Sequence, residues 1–209
     1  MHEKVLPPNS RALLAKLART SSATMQGWTL AGGTGLALRL GHRRSLDFDF
    51  FRTAGMDIDA LHADLKAADT YETLQEGDNT LTVLIRGVKL SFFQVRDPFV
   101  FDTEPYRFFS VADSRDIALM KLAAIASRGS KKDFVDLYAV LRSGPMLQDY
   151  FDLLPKKYGK ERVNTYHTLK SMTYFDDAEE EPLPQMLEPF SWEECKAFLV
   201  REAHSIVLA

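Results

Sequence analysis

Two carboxylates two positions apart, Asp47 and Asp49, lie in the segment SLDFDFF, where apolar and acidic side chains alternate. Alternation of period two marks a strand, so both carboxylates project from one face with their Cα atoms about 7 Å apart. Like charges at that spacing repel unless a cation sits between them. Mg²⁺ is suited to the place, because it takes oxygen ligands and leaves positions open for phosphate oxygens. Upstream, Gly32-Gly33-Thr34 falls between a strand-like run and a helix-like run. Glycines let a backbone approach a phosphate closely, and a helix N-terminus offers free N–H groups and the positive end of the dipole. Thr34 can add a hydroxyl donor. Read alone, the acids fit better as the solvent face of a half-buried strand. The glycine turn, the short helix and the acid pair together favour metal-assisted phosphoryl chemistry. A dinucleotide-binding reading fits less well, since Gly35 is followed by Leu36, Ala37 and Leu38 and not by the G-x-G-x-x-G spacing.

A second charged group lies downstream in DIALMKLAAIASRGSKKDFVDLYAVL. Lys121 and Arg128 share a helix face, and Asp133 and Asp136 follow in the first turns of the next helix, where the dipole favours negative charge. Phe134, Leu137, Tyr138 and Leu141 form its apolar stripe, with Asp133 at the margin and Asp136 further out. The plain alternative is a salt-bridged helix pair with solvated charges. Arg128, Lys131 and Lys132 have the sign to hold a triphosphate or an acceptor phosphate. His42, Arg43 and Arg44 form either a phosphate contact or a solvated loop. Lys156, Lys157, Lys160 and Arg162 make another basic cluster, a solvated turn or a surface that steers RNA. His2, His62, His167 and His204 show no metal-ligand spacing, and Cys195 reads as inert on an amphipathic helix.

These residues need a scaffold. Asn9 or Ser10 can cap a first helix running to about Met25, with Leu13, Leu14, Leu17 and Ala18 on one face. WTLAGG reads as a strand, TGLALRLG as a short helix closed by Gly41, and DIDALHADLKAAD as a helix. YETLQE, TLTVLIRG and VKLSFFQV read as strands, the last two joined by a tight turn at Arg86-Gly87. Pro98 and Pro105 bracket an irregular connection. From Ala112 the pattern is helical, with MLQDYFDLLPKKYG cut short by Pro155, a helix over ERVNTYHTLKSMTYF, and a final helix after Ser191, capped in concert with Glu194. The expected division is an α/β core over residues 1–110 and a C-terminal helical region over 111–209 that completes the active-site cleft.

The 209 residues carry 26 Lys and Arg against 29 Asp and Glu, a net charge of −3, so any nucleic-acid contact must be a local basic patch. A single cysteine excludes an internal disulfide framework and a cysteine-based zinc site. No apolar run approaches the roughly 18 residues that span a bilayer. The opening MHEKVLPPNSR lacks the apolar stretch of a secretory signal, and a cytoplasmic location is the expectation.

AGGTGLALRLGHRRSLDFDFF resembles the first motif of the DNA-polymerase-β-type nucleotidyltransferases, a Gly-Ser or Gly-Thr pair, a short helix, then D-x-D on the next strand. Paired with the downstream motif, and over roughly residues 28–142, the chain resembles the AbiEii/AbiGii toxin family of nucleotidyltransferases. The resemblance implies an α+β fold, a palm-like mixed sheet flanked by helices and followed by a helical part. It implies transfer of a nucleoside monophosphate from an NTP to an acceptor hydroxyl, with Mg²⁺ (or Mn²⁺) on Asp47 and Asp49. Gly32, Gly33, Thr34, Arg44 and Lys132 would bind nucleotide, Lys121 would bind its phosphates, and Asp133 would shape the active site. It further implies a toxin of a toxin–antitoxin or phage-defence system, with a tRNA 3′ end or a protein as acceptor, a cognate antitoxin as partner and no membrane.

The sequence departs from that pattern at one place. Polymerase-β-type enzymes usually carry a third carboxylate on a later strand, and the matching position in VKLSFFQV is Ser91. Serine is neither a general base nor a strong Mg²⁺ ligand. Asp133 or the acceptor fills the gap, or this branch works differently, or catalysis is weak. The rival reading is a nucleotide-binding, non-catalytic protein that acts through a partner.

Overall fold

Residues 1–20 and 25–208 are described by a computed structural model of the chain, in which they divide into two compact units, Met1–Asp113 and the residues from Ser114 onward. In the first unit the alternation in Phe48–Arg52 builds strand β2, and seven strands form one mixed sheet. These are β1 Thr29–Ala31, β2, β3 Glu72–Gly77, β4 Thr80–Ile85, β5 Val88–Gln94, β6 Glu104–Tyr106 and β7 Phe109–Val111, in the order β3-β4-β5-β2-β1-β7-β6. β2 runs parallel to β5 and antiparallel to β1, and β1 runs parallel to β7. Helices α1 Pro8–Thr20, α2 Gly32–Leu40 and α3 Ile58–Ala68 complete this unit.

The registers sort the side chains of the central strands into two faces. Leu30, Phe50 and Phe92 are successive partners, as are Phe48 and Leu90, so these residues share one face. That face is the core, which Leu13, Leu14 and Leu17 of α1 and Leu61 and Leu65 of α3 help to fill. Phe50 stacks on Phe92 at 5.2 Å between ring centroids, and truncating such a buried ring to alanine costs about 3–5 kcal/mol. The opposite face carries Asp49, Ser91 and Thr82, likewise successive partners. One side of the sheet is therefore a hydrophobic seam, and the other sets these polar side chains beside the stacked rings of Phe51 and Phe93.

The second unit is helical: α4 Ser114–Ser127, α5 Lys131–Leu141, α6 Leu147–Tyr158, α7 Thr165–Ser171, α8 Asp176–Glu179 and α9 Trp192–His204. Phe134 of α5 packs against Phe175 and Trp192 at 5.0 and 6.1 Å, and Tyr138 meets Phe198 of α9 at 5.2 Å. The carboxylate of Asp116 on α4 holds the buried ammonium of Lys157 on α6 at 2.7 Å. Among the described residues no helix is long and apolar enough to cross a membrane.

Several local expectations change. α1 begins at Pro8, whose fixed φ suits a first helical position, so Asn9 and Ser10 lie inside the helix and Ala18 is exposed. The expected extension through residues 21–24 lies outside the described residues. β2 begins at Phe48, one residue after Asp47. The stretch bracketed by Pro98 and Pro105 ends in a strand, because β6 pairs only with β7 and an edge strand tolerates a missing N–H. α6 continues through Pro155, carried by the buried stripe of Leu147, Tyr150, Phe151 and Leu154. α7 starts later than expected, at Thr165, where the Asn164 side chain caps the helix by accepting from the His167 N–H.

Candidate active site

The turn from β1 into α2 is built on Gly32 and Gly33. Gly32 has φ +61°, a left-handed conformation, and a Cβ placed there would lie 2.7 Å from Asp49 Oδ2. A Cβ on Gly33 would run into the Arg43 guanidinium. The N-cap residue Ala31 supplies no side-chain cap to α2, and both glycines keep partial exposure. The absence of side chains at this turn lets the Asp49 carboxylate reach the start of the helix.

Thr34 is buried and turns inward. Its hydroxyl contacts Ser45 Oγ at 2.7 Å and donates to the backbone carbonyl of Asp47. The segment that carries the first acid is thereby tied to the first turn of α2. Arg43 and His42 are also buried, so this is not a solvated loop, whereas Arg44 is exposed. Arg43 Nη1 donates to the Arg44 carbonyl at 3.0 Å.

Asp47 and Asp49 sit at the start of β2, where register and burial leave both half-exposed. Lys89, on the neighbouring β5, places its ammonium 3.1 Å from Asp47 Oδ2. Ser91 stands opposite Asp49 and is buried, and its Oγ accepts a 3.3 Å hydrogen bond from the Thr82 hydroxyl. The strand alternation already put Lys89 and Ser91 on one face. Only the β2–β5 pairing, which the sequence does not reveal, brings that face beside the acids. Ser45 was likewise outside the sequence-derived site, with no spacing signal to mark it, and Arg43 entered that reading only beside His42 and Arg44, as a phosphate contact or a solvated loop.

The donor set fits a hard divalent cation in its chemistry: two carboxylates, with remaining coordination left to water and phosphate oxygens. Among the described residues no group of three or more His, Cys, Asp or Glu side chains is arranged to hold a metal. A site here would draw most of its ligands from substrate and solvent.

In the second unit, Lys121 lies between two acids. Its Nζ is 2.8 Å from Asp133 Oδ1 and 2.6 Å from Asp136 Oδ2, with side-chain exposures of 6% for the lysine and 0% for both carboxylates. Burial pulls the lysine pKa down, but the charges of Asp136 and Asp133 outweigh it and hold the ammonium above its ordinary value. Arg128 adds a second cation, with Nε 2.9 Å from Asp133 Oδ2. Asp133 and Asp136 are thus interior groups, not the margin of a solvated face, and their charges are matched within the cluster. Lys131 is buried and donates to the carbonyls of Glu179 and Glu181, leaving Lys132 as the exposed lysine of the pair. Lys157, expected on a solvated basic turn, is instead the buried partner of Asp116.

Known proteins resemble the chain over most of its length. Over 178 residues the chain is 39% identical to the uncharacterized protein aq_aa25 of Aquifex aeolicus (strain VF5), covering 83% of this chain and 84% of that one. Two Helicobacter pylori structures share the fold at TM-scores of 0.59 and 0.52, the second being JHP933. Each is 16% identical and spans 94% of this chain, with 92% and 89% of the respective partner covered. MenT4, the nucleotidyltransferase toxin Rv2826c of Mycobacterium tuberculosis H37Rv, superposes with a TM-score of 0.58 at 16% identity, covering 93% of this chain and 81% of its own. The profile of the nucleotidyl transferase AbiEii toxins of type IV toxin–antitoxin systems matches residues 15–204, and the chain belongs to that family of nucleotidyltransferases.

Proposed function

We propose that the protein transfers a nucleoside monophosphate from an NTP to an acceptor hydroxyl, with Asp47 and Asp49 holding Mg²⁺ or Mn²⁺. The observation that carries this reading is the meeting of the Asp49 carboxylate with the bare Gly32–Gly33 turn at the start of α2. Carboxylates for a cation and N–H groups for phosphates then lie side by side. The bound cation would neutralise charge on the phosphates and polarise the reacting phosphorus. The acceptor oxygen bonds to the α-phosphorus as the bond to the departing pyrophosphate breaks.

Gly32 and Gly33 offer backbone to the phosphates, and Thr34 supports them by fixing Asp47 to the helix. Arg44 and Lys132 are exposed cations of the right sign for a phosphate. Lys121 and Asp133 contribute through the buried charge cluster that sets the α4–α5 pair. Family membership supports a toxin role with a cognate antitoxin, and the acceptor we favour is a tRNA 3′ end, with a protein as the other class. We place the reaction in the cytoplasm, where NTP and tRNA are available.

The test incubates the purified protein with Mg²⁺, each α-labelled ribonucleotide in turn, and total tRNA. Label on RNA that disappears in Asp47→Asn/Asp49→Asn supports the reading and identifies the nucleotide. Label on a polypeptide assigns a protein acceptor. Equal labelling by the double variant overturns the site. No label, with nucleotide still bound, favours the non-catalytic alternative that Ser91 motivates.

A further inference from the structure

We propose that Lys89 supplies, as a fixed charge, what a third carboxylate and a second metal ion supply in a two-metal site. The inference rests on the transferase reading above. Two divalent ions about 3.5–4 Å apart repel strongly and need several bridging carboxylates to stay together. Next to Asp47 and Asp49 on this face of the sheet, the neighbouring strand presents Lys89 and Ser91 and no carboxylate. Serine leaves the second ion without a strong ligand, and a lysine ammonium 3.1 Å from Asp47 opposes its entry by charge. A carboxylate and a divalent ion together carry one positive charge, and so does one ammonium. The electrostatic sum around a bound triphosphate is the same in both arrangements.

Lys89 is not where a stabilising ion pair would be placed. Its side chain is 41% exposed and that of Asp47 43%, and pairs so accessible contribute little to folding. Its value lies at the reaction. As the acceptor oxygen bonds to the α-phosphorus, the P–O bond to pyrophosphate breaks and the hydroxyl proton passes to solvent water. Negative charge shifts toward the leaving group, and a cation held by Asp47 and Asp49 would share its neutralisation with this ammonium.

Bound Mn²⁺ is counted by electron paramagnetic resonance with the four α,β-methylene ribonucleoside triphosphates together, alongside transfer assays and thermal melts. The wild type is expected to hold a single Mn²⁺ per chain in the nucleotide complex. Lys89→Met should melt like the wild type and keep that stoichiometry, yet lose transfer by about 100-fold. Lys89→Arg should retain most of it. Lys89→Met/Ser91→Asp should take up a second Mn²⁺ and recover at least about tenfold of the lost rate. A wild type that transfers label while holding two Mn²⁺ overturns this inference and leaves the transferase reading intact, as does a Lys89→Met variant with full activity. A double variant that gains neither metal nor rate also overturns it. A wild type without any transfer removes both.

Discussion

Lys121 Nζ and Asp136 Oδ2 meet at 2.6 Å, both buried, and join α4 to α5. Removing one partner of such a pair leaves an uncompensated buried charge, which costs about 3–5 kcal/mol. Lys121→Met should lower the urea midpoint accordingly. Adding Asp136→Leu should return part of that loss, because the stranded carboxylate is gone and Asp133 still has Arg128 at 2.9 Å. The pair also has a defined pH signature. The folded lysine pKa lies above its unfolded value, so its contribution is complete below about pH 10.4 and is lost only as pH rises through the higher folded value. The stability difference between the wild type and Lys121→Met should therefore be equal at pH 7 and pH 9. A difference that shrinks between those values would mean that the lysine is not held as an ammonium.

The β1–α2 turn predicts a separation of activity from stability. Gly32→Ala forces an L-residue into φ +61° and drives a methyl to 2.7 Å from Asp49 Oδ2. The backbone strain alone costs about 1–2 kcal/mol. We expect a modest fall in melting temperature and a loss of nucleotidyl transfer larger than that fall explains, because the displaced group is the carboxylate itself. Gly33→Ala carries no such backbone strain and meets the end of the Arg43 side chain, so it should cost less than Gly32→Ala in both readouts. Gly55→Ala, where an added Cβ meets nothing within 4 Å, should change neither.

Much of this was legible from residue types. Asp47, Asp49 and the paired glycines carry a local signal, since a strand period and a helix start are written in adjacent residues. Family resemblance added the rest of the motif. Contacts distant in sequence were the part that stayed hidden. Lys89 follows Asp47 by 42 positions, and nothing local says that β5 pairs with β2 in parallel while β1 lies on the other side. The same holds for Asp136, which an isolated helical wheel assigns to the outside. Its burial is decided by a lysine on the preceding helix, where paired charges make an interior position tolerable. The β6–β7 hairpin went unread for a different reason. Its strands are three residues each and contain a proline, too little for periodicity to register.

Asp69 ends α3 and gathers three neighbours. It accepts from Lys16 of α1 at 3.0 Å, from the Thr70 N–H at 2.9 Å and from Arg86 in the β4–β5 turn. The hydrogen bond from Lys16 above all, with those from Thr70 and Arg86, lowers its pKa to about 2. A carboxylate depressed in the folded state stabilises above its unfolded value near about 3.9 and loses that contribution as pH falls through the folded one. Melting temperature should drop between pH 4 and pH 2, and Asp69→Asn should flatten that drop. An unchanged acid slope in the variant would show that other carboxylates dominate.

Cys195 offers a probe of the second unit. It is buried on α9 with its thiol 4.0 Å from the Phe134 carbonyl, and burial pushes its pKa up to about 12. The thiolate is the reactive form, so at pH 8 both access and ionisation oppose alkylation. Iodoacetamide should leave the native protein unmodified by mass, and urea should expose the cysteine to rapid reaction. Intermediate conditions are more informative. Trp192 packs edge-on against Phe134 and Phe175, close to the cysteine in sequence and on the same helix. Trp192→Ala removes that contact, so labelling should quicken under native conditions while the far-ultraviolet spectrum stays helical, reporting local opening of α9 from α5. Labelling at the wild-type rate would place the resistance elsewhere, in the packing of Tyr138 on Phe198 further along the helix pair.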